Sequence, residues 1–304
     1  MADASADPLV RQARDAAARA ASFSNVAVGN EHAMNRLRDV AALLTSVWGS
    51  SPDGAPLPPD VLRAISHAGC NVTVAHDDDG RLLGTAVAIV SPDGVGAYSL
   101  IAAVAPDVSD RGIGFALKLH QRAWALERGF TTLNWTFDPL VSRNARFNLT
   151  KLGAHCDEYL PDFYGPMADA INTGPSDRLA AVWPLTDQRS VACSEGQPPP
   201  VDLPDFTADD VSATGPDGQP FVVDVAGARW CRVPADVVVL RRRNPDEASQ
   251  WRTRVGEVFV EAFGSGYRAT GVTRTGWYRL TNDAGDAGNA GDAAGTGRTE
   301  RGAS

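Results

Sequence analysis

The residue types able to do chemistry concentrate in one stretch, Val104–Ala154, and its centre is a pair of glycines. Gly112 and Gly114, in the run Arg111-Gly112-Ile113-Gly114, follow an apolar strand closing at Pro106 and open a helix running to about Arg128. The first N–H groups of a helix have no intrahelical acceptor, the helix dipole favours negative charge there, and glycine lets an anion approach the backbone. The peptide N–H groups of Arg111, Gly112, Ile113, Gly114, Phe115 and Ala116 are therefore expected to face a phosphate-type ligand. A dinucleotide fingerprint would need glycine or alanine where Leu117 stands and an acidic residue about 20 residues on, closing a second parallel strand; Glu127 lies inside the helix. A P-loop would need Gly-Lys-Ser/Thr, and the sequence reads Gly114-Phe115-Ala116. No Ser-His-Asp or Cys-His arrangement is legible.

The elements that must hold this turn follow from apolar periodicity. Pro8–Ala21 is alanine-rich with Val10, Ala13, Ala17 and Ala20 at helical spacing, so a weakly docked or frayed helical extension is expected over residues 1–21. Val26–Val28 reads as a short strand. Asn30 reads as the cap of a helix whose stripe is Met34, Leu37, Val40, Ala41, Leu44, Val47 and Trp48, and Pro59–Ala68 as a second helix stopped by Gly69. Three antiparallel strands follow, Asn71–His76, Leu82–Val90 and Ala97–Ala105, joined by turns at Asp77–Gly80 and Ser91–Gly94. After the glycine turn and its helix come a strand Thr132–Phe137, a helix Asn144–Leu152, and strands Cys156–Leu160 and Arg178–Leu185. Thr186–Pro220 is rich in Pro, Asp and Gly and reads as a linker or a long surface excursion. Beyond it, strands Phe221–Val233 and Val237–Leu240, a helix capped by Asn244 with Pro245 first, and a strand Tyr267–Leu280 form a β-α-β accessory domain over residues 221–280. Residues 281–304 have the composition of a disordered tail.

The glycine turn, the following strand and the segment Asn144-Ala145-Arg146-Phe147-Asn148-Leu149-Thr150-Lys151-Leu152-Gly153-Ala154 together resemble the GNAT superfamily of acyl-CoA N-acyltransferases. Within it the chain looks like a bacterial group marked by W-T-F-D-P-L and R-N-A-x-F-N-L, here Trp135–Leu140 and Arg143–Leu149, some members of which are associated with succinylation of amino acids. The resemblance implies an α/β (α+β) GNAT fold over residues 22–185, a mixed, mostly antiparallel sheet flanked by helices. It also implies acetyl-CoA or another acyl-CoA as co-substrate, without a metal. The two strands on either side of the glycine helix would splay apart, with the pantetheine bonded to backbone at Ala102 and Val104.

What the resemblance implies for the remaining site residues is less uniform. Ser109 stands where the pattern has Arg or Gln, leaving Arg111 as the basic group, and Leu149 stands where many members carry the tyrosine that protonates the coenzyme A sulfur. Acid duty would pass to Tyr164 or to water, or the thiolate would leave without assistance. Asn144, Phe147 and Asn148 would face the pantetheine. Asp138 is read as general base or as the group orienting Arg143, with a turn-forming Asp-Pro as the plainer alternative. Arg143 would bind the carboxylate of an amino-acid acceptor or of a dicarboxylic acyl group, or else be a solvated residue at the helix start. His120 reads as a packed core histidine. A non-catalytic acyl-CoA-binding regulator remains as the alternative, because Leu149 and Ser109 depart from the pattern.

Composition bounds these readings. The chain has 304 residues, 43% hydrophobic and 21% charged, with a net charge of −9, which argues against nucleic acid as partner. Arg241-Arg242-Arg243 is the one basic run and reads as a solvent-facing strand end. Cys70, Cys156, Cys193 and Cys231 show no zinc-ligand spacing and read as free thiols in a reducing cytoplasm. No apolar run is long enough to span a bilayer, and the start Met1–Pro8 lacks a signal segment, so a cytoplasmic location without a membrane partner is expected. The acceptor is expected to be a small-molecule amine, and a homodimer is compatible with everything above.

Overall fold

The structure, a computed structural model, describes residues 7–49, 55–92, 94–165, 167–168 and 173–282. Helix α1 (Pro8–Phe23) starts on proline, with the Asp7 carboxylate accepting from Leu9 N at 2.8 Å. Its stripe Val10, Ala13, Ala16 and Ala17 is buried against α4 (Ile113–Glu127), in one core with Leu119, Ala123 and Trp124. The expected weak docking is thus corrected: small side chains let the two helices approach closely. Strand β1 (Ala27–Asn30) leads to α2 (Met34–Trp48), which starts after Ala33 without a side-chain cap and not at Asn30; the Glu31 carboxylate accepts from the N–H groups of His32 and Ala33 in the turn before it. α3 (Pro59–His67) follows.

β2 (Asn71–His76), β3 (Leu82–Val90) and β4 (Gly96–Val104) form an antiparallel meander. After α4 come β5 (Thr132–Phe137), then α5 (Ser142–Arg146) running into a wider π-helical turn at Phe147–Lys151, then β6 (His155–Leu160). The short pair β7 (Met167–Ala168) and β8 (Thr173–Gly174) precedes β9 (Arg178–Pro184). α2 and α3 cover one face of the sheet, through Leu37, Val40, Leu44 and Leu62 against Val72, Val74, Val87 and Ala103; α4 covers the other, through Ile113, Ala116 and Leu117 against Ala75, Leu83 and Ala86.

The stretch read as a linker holds α6 (Gln188–Ser194) and β10 (Val211–Thr214). α6 is tied to α1 by Gln12 Nε2 donating to Ser194 Oγ and buries Cys193 beneath Gly153, a fixed position that composition does not reveal. β11 (Pro220–Val225) and β12 (Ala228–Arg232) lead to α7 (Val237–Arg243), α8 (Pro245–Gly264), β13 (Arg268–Val272) and β14 (Trp277–Thr281). The β-branched run Val237–Leu240 is helix rather than strand, because the Asp236 carboxylate caps it by accepting from Val239 N and only Val237 is buried. The accessory region is consequently richer than β-α-β. It extends the main sheet, whose order is β1-β2-β3-β4-β5-β9-β6-β13-β14-β12-β11-β10. Thr281 belongs to β14 and is buried; the remainder of the expected tail, residues 283–304, lies outside the described residues. Among the described residues no helix is long and apolar enough to cross a membrane.

Candidate functional site

Among the described residues only one neighbouring pair in the large sheet is parallel, β4 with β5, and it is short: Gly96↔Thr132, Ala97↔Leu133 and Tyr98↔Asn134. Gly96 makes the approach possible, since a Cβ there would lie 2.5 Å from Thr132 Oγ1. Past Tyr98 and Asn134 the strands part. A β-bulge on β4, where Ile101 faces Val87 but Ser99 faces Ala88, leaves Leu100 unmatched and shifts the alternation. Ser99 therefore meets α4, and so do Ala102 and Val104, despite their opposite parity. Ala105 N donates to Leu83 O at 2.8 Å, and by the alternation of an antiparallel ladder the N–H and C=O of Ala102 and Val104 point away from β3, into the gap.

The glycine turn lies at the foot of this gap. Gly112 caps α4 with φ +87° and Asp110 also has positive φ, +68°. At Gly114 a Cβ would meet only Val104 Cγ2, at 3.8 Å. Phe115 N and Ala116 N both bond to Gly112 O, so the expectation that they face a ligand is corrected: the free donors are the N–H groups of Arg111, Gly112, Ile113 and Gly114, which have no acceptor among the described residues. Ser109 Oγ turns back to Pro106 O. The end of α1 closes over the turn. A Cβ on Gly112 would sit 2.8 Å from Ser24 Oγ, a buried hydroxyl without a hydrogen-bond partner among the described residues, and Phe23 beside it is 86% exposed.

Asn144 and Asn148 share a face as their spacing requires, Asn148 Nδ2 reaching Asn144 Oδ1 at 3.5 Å, while Phe147 is half-buried against the main core. Arg143 is exposed and its guanidinium lies 4.0 Å from Asp110 of the glycine turn. That position is beside the glycine turn. Leu149 is fully buried.

Asp138 is not free to act as a base. Oδ1 accepts from Leu140 N, and Oδ2 accepts from Arg241 at 2.5 Å and from Arg252 at 2.9 Å. Burial would raise its pKa, but Arg252 and Arg241 outweigh it and hold the carboxyl below the usual range. Asp177 extends the cluster, 3.7 Å from Arg252 and accepting from Tyr159 Oη at 2.7 Å. The basic run expected to cap an exposed strand therefore contributes, through Arg241, a buried charge that pins the end of β5 to α7. Nor does Asp138 orient Arg143.

Tyr164 lies across from β5. Its Oη is 3.3 Å from Thr136 Oγ1, to which Tyr98 Oη also donates at 3.4 Å, and Arg178 stands 5.2 Å from its ring. Burial keeps the Tyr98 phenol above its ordinary pKa. These three hydroxyls sit on the sheet face opposite α4, because Thr136 alternates with Trp135 and Phe137. The opposite face holds a residue that sequence reasoning passed over. Lys118 is buried at 6% exposure, donates to Ser99 Oγ at 2.7 Å and lies 3.9 Å from the centre of the Trp135 ring; burial brings its pKa down to about 7. A lysine at helical spacing from Gly114, Gln121 and Ala125, on the sheet-facing side, was the available signal. His120 departs from the core role expected of it: half-buried, it bonds to Asn30 Oδ1 in a groove with Arg14, Trp124 and Glu127.

No protein-family model matches this chain, and no curated protein matches it. Among solved structures it is similar to the ribosomal-protein-S18-alanine N-acetyltransferase from Escherichia coli, at 17% identity and TM-score 0.43, over 53% of this chain and 95% of that one. It is also similar to an N-acetyltransferase from Staphylococcus aureus Mu50, at 15% identity and TM-score 0.45, over 53% and 99%. A third is a GNAT family acetyltransferase from Elizabethkingia anophelis with acetyl-CoA bound, at 14% identity and TM-score 0.42, over 53% and 98%.

Proposed function

We propose that this chain is an acyl-CoA-dependent N-acyltransferase that moves an acetyl- or succinyl-type group to an amino acid or another small amine. One observation carries the reading: an open gap between two strands, with unpaired strand backbone along one wall and the unspent N–H groups of a helix N-terminus at its foot. Such a gap suits a long arm ending in a pyrophosphate. The N–H groups of Arg111–Gly114 would hold the pyrophosphate, with Arg111 and Arg143 as the nearby cations, and the backbone of Ala102 and Val104 would hold the arm. Asn144 and Asn148 would flank it. The acceptor would enter from the other sheet face, beside Tyr98, Thr136 and Tyr164, whose hydroxyls orient a neutral nitrogen for direct attack on the thioester carbonyl. Arg143, expected as the acceptor's carboxylate ligand, fits the phosphate end better.

The test is a calorimetric titration of coenzyme A into the wild-type chain and Gly114→Asp, beside a thermal melt. The substitution adds a side chain where only Val104 is near and sets a negative charge against the pyrophosphate, while an aspartate in the first helical turn suits the dipole. Affinity should fall by about a hundredfold or more, at about 1.4 kcal/mol per tenfold, in a folded protein. Unchanged affinity would remove the pyrophosphate assignment. Release of free thiol from acetyl-, propionyl- and succinyl-CoA with a panel of D- and L-amino acids and polyamines then identifies the reaction. The buried hydrocarbon of Leu149 favours a second reading, a silent acyl-CoA binder, which binding without thiol release would select.

A further inference from the structure

Lys118 sits at the point where the two strands separate. The last paired residues are Tyr98 and Asn134, so Ser99 and Trp135 are the first on each strand that no longer face a partner across the gap. The Lys118 ammonium touches both, donating to the Ser99 hydroxyl at 2.7 Å and lying 3.9 Å from the Trp135 ring centre. Ser99 donates onward to Gln121 Oε1 at 3.0 Å, and Gln121 Nε2 to Asn71 Oδ1 at 3.4 Å. The groups facing Lys118 are thus Ser99 from β4, Trp135 from β5 and Gln121 from α4 itself, with Asn71 of β2 behind, and none of them is ionisable. The titratable neighbours on its own helix are committed elsewhere, His120 to Asn30 and Arg122 to Leu185 O and Gln12. No ion pair involves Lys118 among the described residues.

A buried ammonium without a counter-ion is expensive, and a helix that needs only packing would carry leucine or methionine at that position. Burial leaves the amine able to hold or release its proton near neutral pH. Thioester cleavage is helped by such a group, because the departing sulfur carries an electron pair that a nearby acid can protonate. Asp138 is spent in its ion cluster and Leu149 has no proton to give.

We propose that Lys118 is a catalytic residue, the proton donor to the sulfur released when the thioester is cleaved; this rests on the acyltransferase reading above. The acceptor nitrogen bonds to the carbonyl carbon, the carbon–sulfur bond breaks with its electron pair on sulfur, and the Lys118 ammonium transfers a proton to that sulfur. The new amide sheds its surplus proton to solvent, and the neutral Lys118 takes a proton from solvent once the thiol has left.

The test uses the full chain and free coenzyme A, so that it does not depend on knowing the acceptor. The thiolate absorbance of bound coenzyme A is followed against pH for wild type, Lys118→Met and Lys118→Arg, with a thermal melt of each. In Lys118→Arg, whose cation persists across the scan, the bound thiol should ionise about one pH unit or more below free coenzyme A, and in the wild type by a smaller but measurable amount, because Lys118 loses its own charge as pH rises through about 7. In Lys118→Met the shift should vanish. With an acceptor in hand, Lys118→Met should lower kcat by about 10²–10⁴, leave KM for the acyl-CoA within about threefold, and lose the fall in kcat as pH rises through about 7. Methionine keeps the volume and removes a buried charge, so the fold should hold. The same thiol ionisation in wild type and Lys118→Met, or a Met variant with wild-type turnover and pH profile, overturns the proposal. Failure of the wild type to bind coenzyme A would overturn the acyl-CoA reading itself, and bound coenzyme A with an unshifted thiol only the role of Lys118.

Discussion

Replacing Asp138 by asparagine separates a structural carboxylate from a catalytic one. The substitution keeps an oxygen for Leu140 N but removes the charge that Arg241 meets at 2.5 Å and Arg252 at 2.9 Å. Of these two guanidiniums, each about a tenth exposed, Arg252 would keep Asp177 at 3.7 Å, while Arg241 would lose its ion pair with Asp138. Breaking a buried pair by removing one partner costs about 3–5 kcal/mol, and the partial compensation from Asp177 argues for the lower end. At a urea m-value of about 1–3 kcal/mol/M this is a midpoint shift on the order of 1 M or more at pH 7. The sign with pH follows from the depressed pKa. The contribution is complete above the unfolded value of 3.8 and is lost as pH falls through the lower folded value, so acid should narrow the difference between wild type and Asp138→Asn. Activity per folded molecule should stay within about tenfold of wild type, because loss of a true general base costs about 10²–10⁴. An Asp138→Asn protein with unchanged stability and a catalytic loss of that size would refute the ion-cluster account and restore the base.

Two further outcomes follow from backbone geometry. Gly112→Ala should destabilise by about 1–3 kcal/mol, because φ is +87° and the new Cβ would meet Ser24 Oγ at 2.8 Å, whereas Gly114→Ala should be neutral or stabilising by up to about 1 kcal/mol; paired urea melts check the contrast. A chain ending at Asn282 should melt like the full chain, while one ending at Leu280 should lose about 1 kcal/mol, because Thr281 is a buried strand residue whose hydroxyl lies 3.3 Å from that of Thr270.

The N-terminal half was legible because its signals are local. β2 and β3 have their expected boundaries, since alternation and Gly-bearing turns determine them, and Gly112 marks the start of α4 by its left-handed conformation. What escaped depends on distant partners. Val237–Leu240 has strand composition and becomes helix because Asp236 caps it and Asn244 starts the next helix at once. α6 lies in a stretch of linker composition, and its place is set by Gln12 and Arg122, both far from it in sequence. Asp138 looked catalytic because it ends a strand beside the site, and nothing near it in the chain announces that Arg241 and Arg252 will reach it.

The bulge on β4 explains why the chemistry of the gap was harder to read than its outline. Simple alternation puts Ser99, Ile101 and Ala103 on one face and Tyr98, Leu100, Ala102 and Val104 on the other. The unmatched Leu100 breaks that rule, so Ser99 joins Ala102 and Val104 on the α4 side, whereas Ile101 and Ala103 pack with α2 and α3. One inserted residue therefore brings the Ser99 hydroxyl to Lys118 and leaves Tyr98 with Thr136 and Tyr164 on the opposite face. The two polar groups meet the gap from its two sides, an amine from beneath and three hydroxyls from above. A strand without the bulge, continuing the alternation back from Ala102 and Val104, would turn Ser99 away from α4 and leave Lys118 without its hydrogen-bond acceptor, a buried position that only leucine or methionine would fill at no cost.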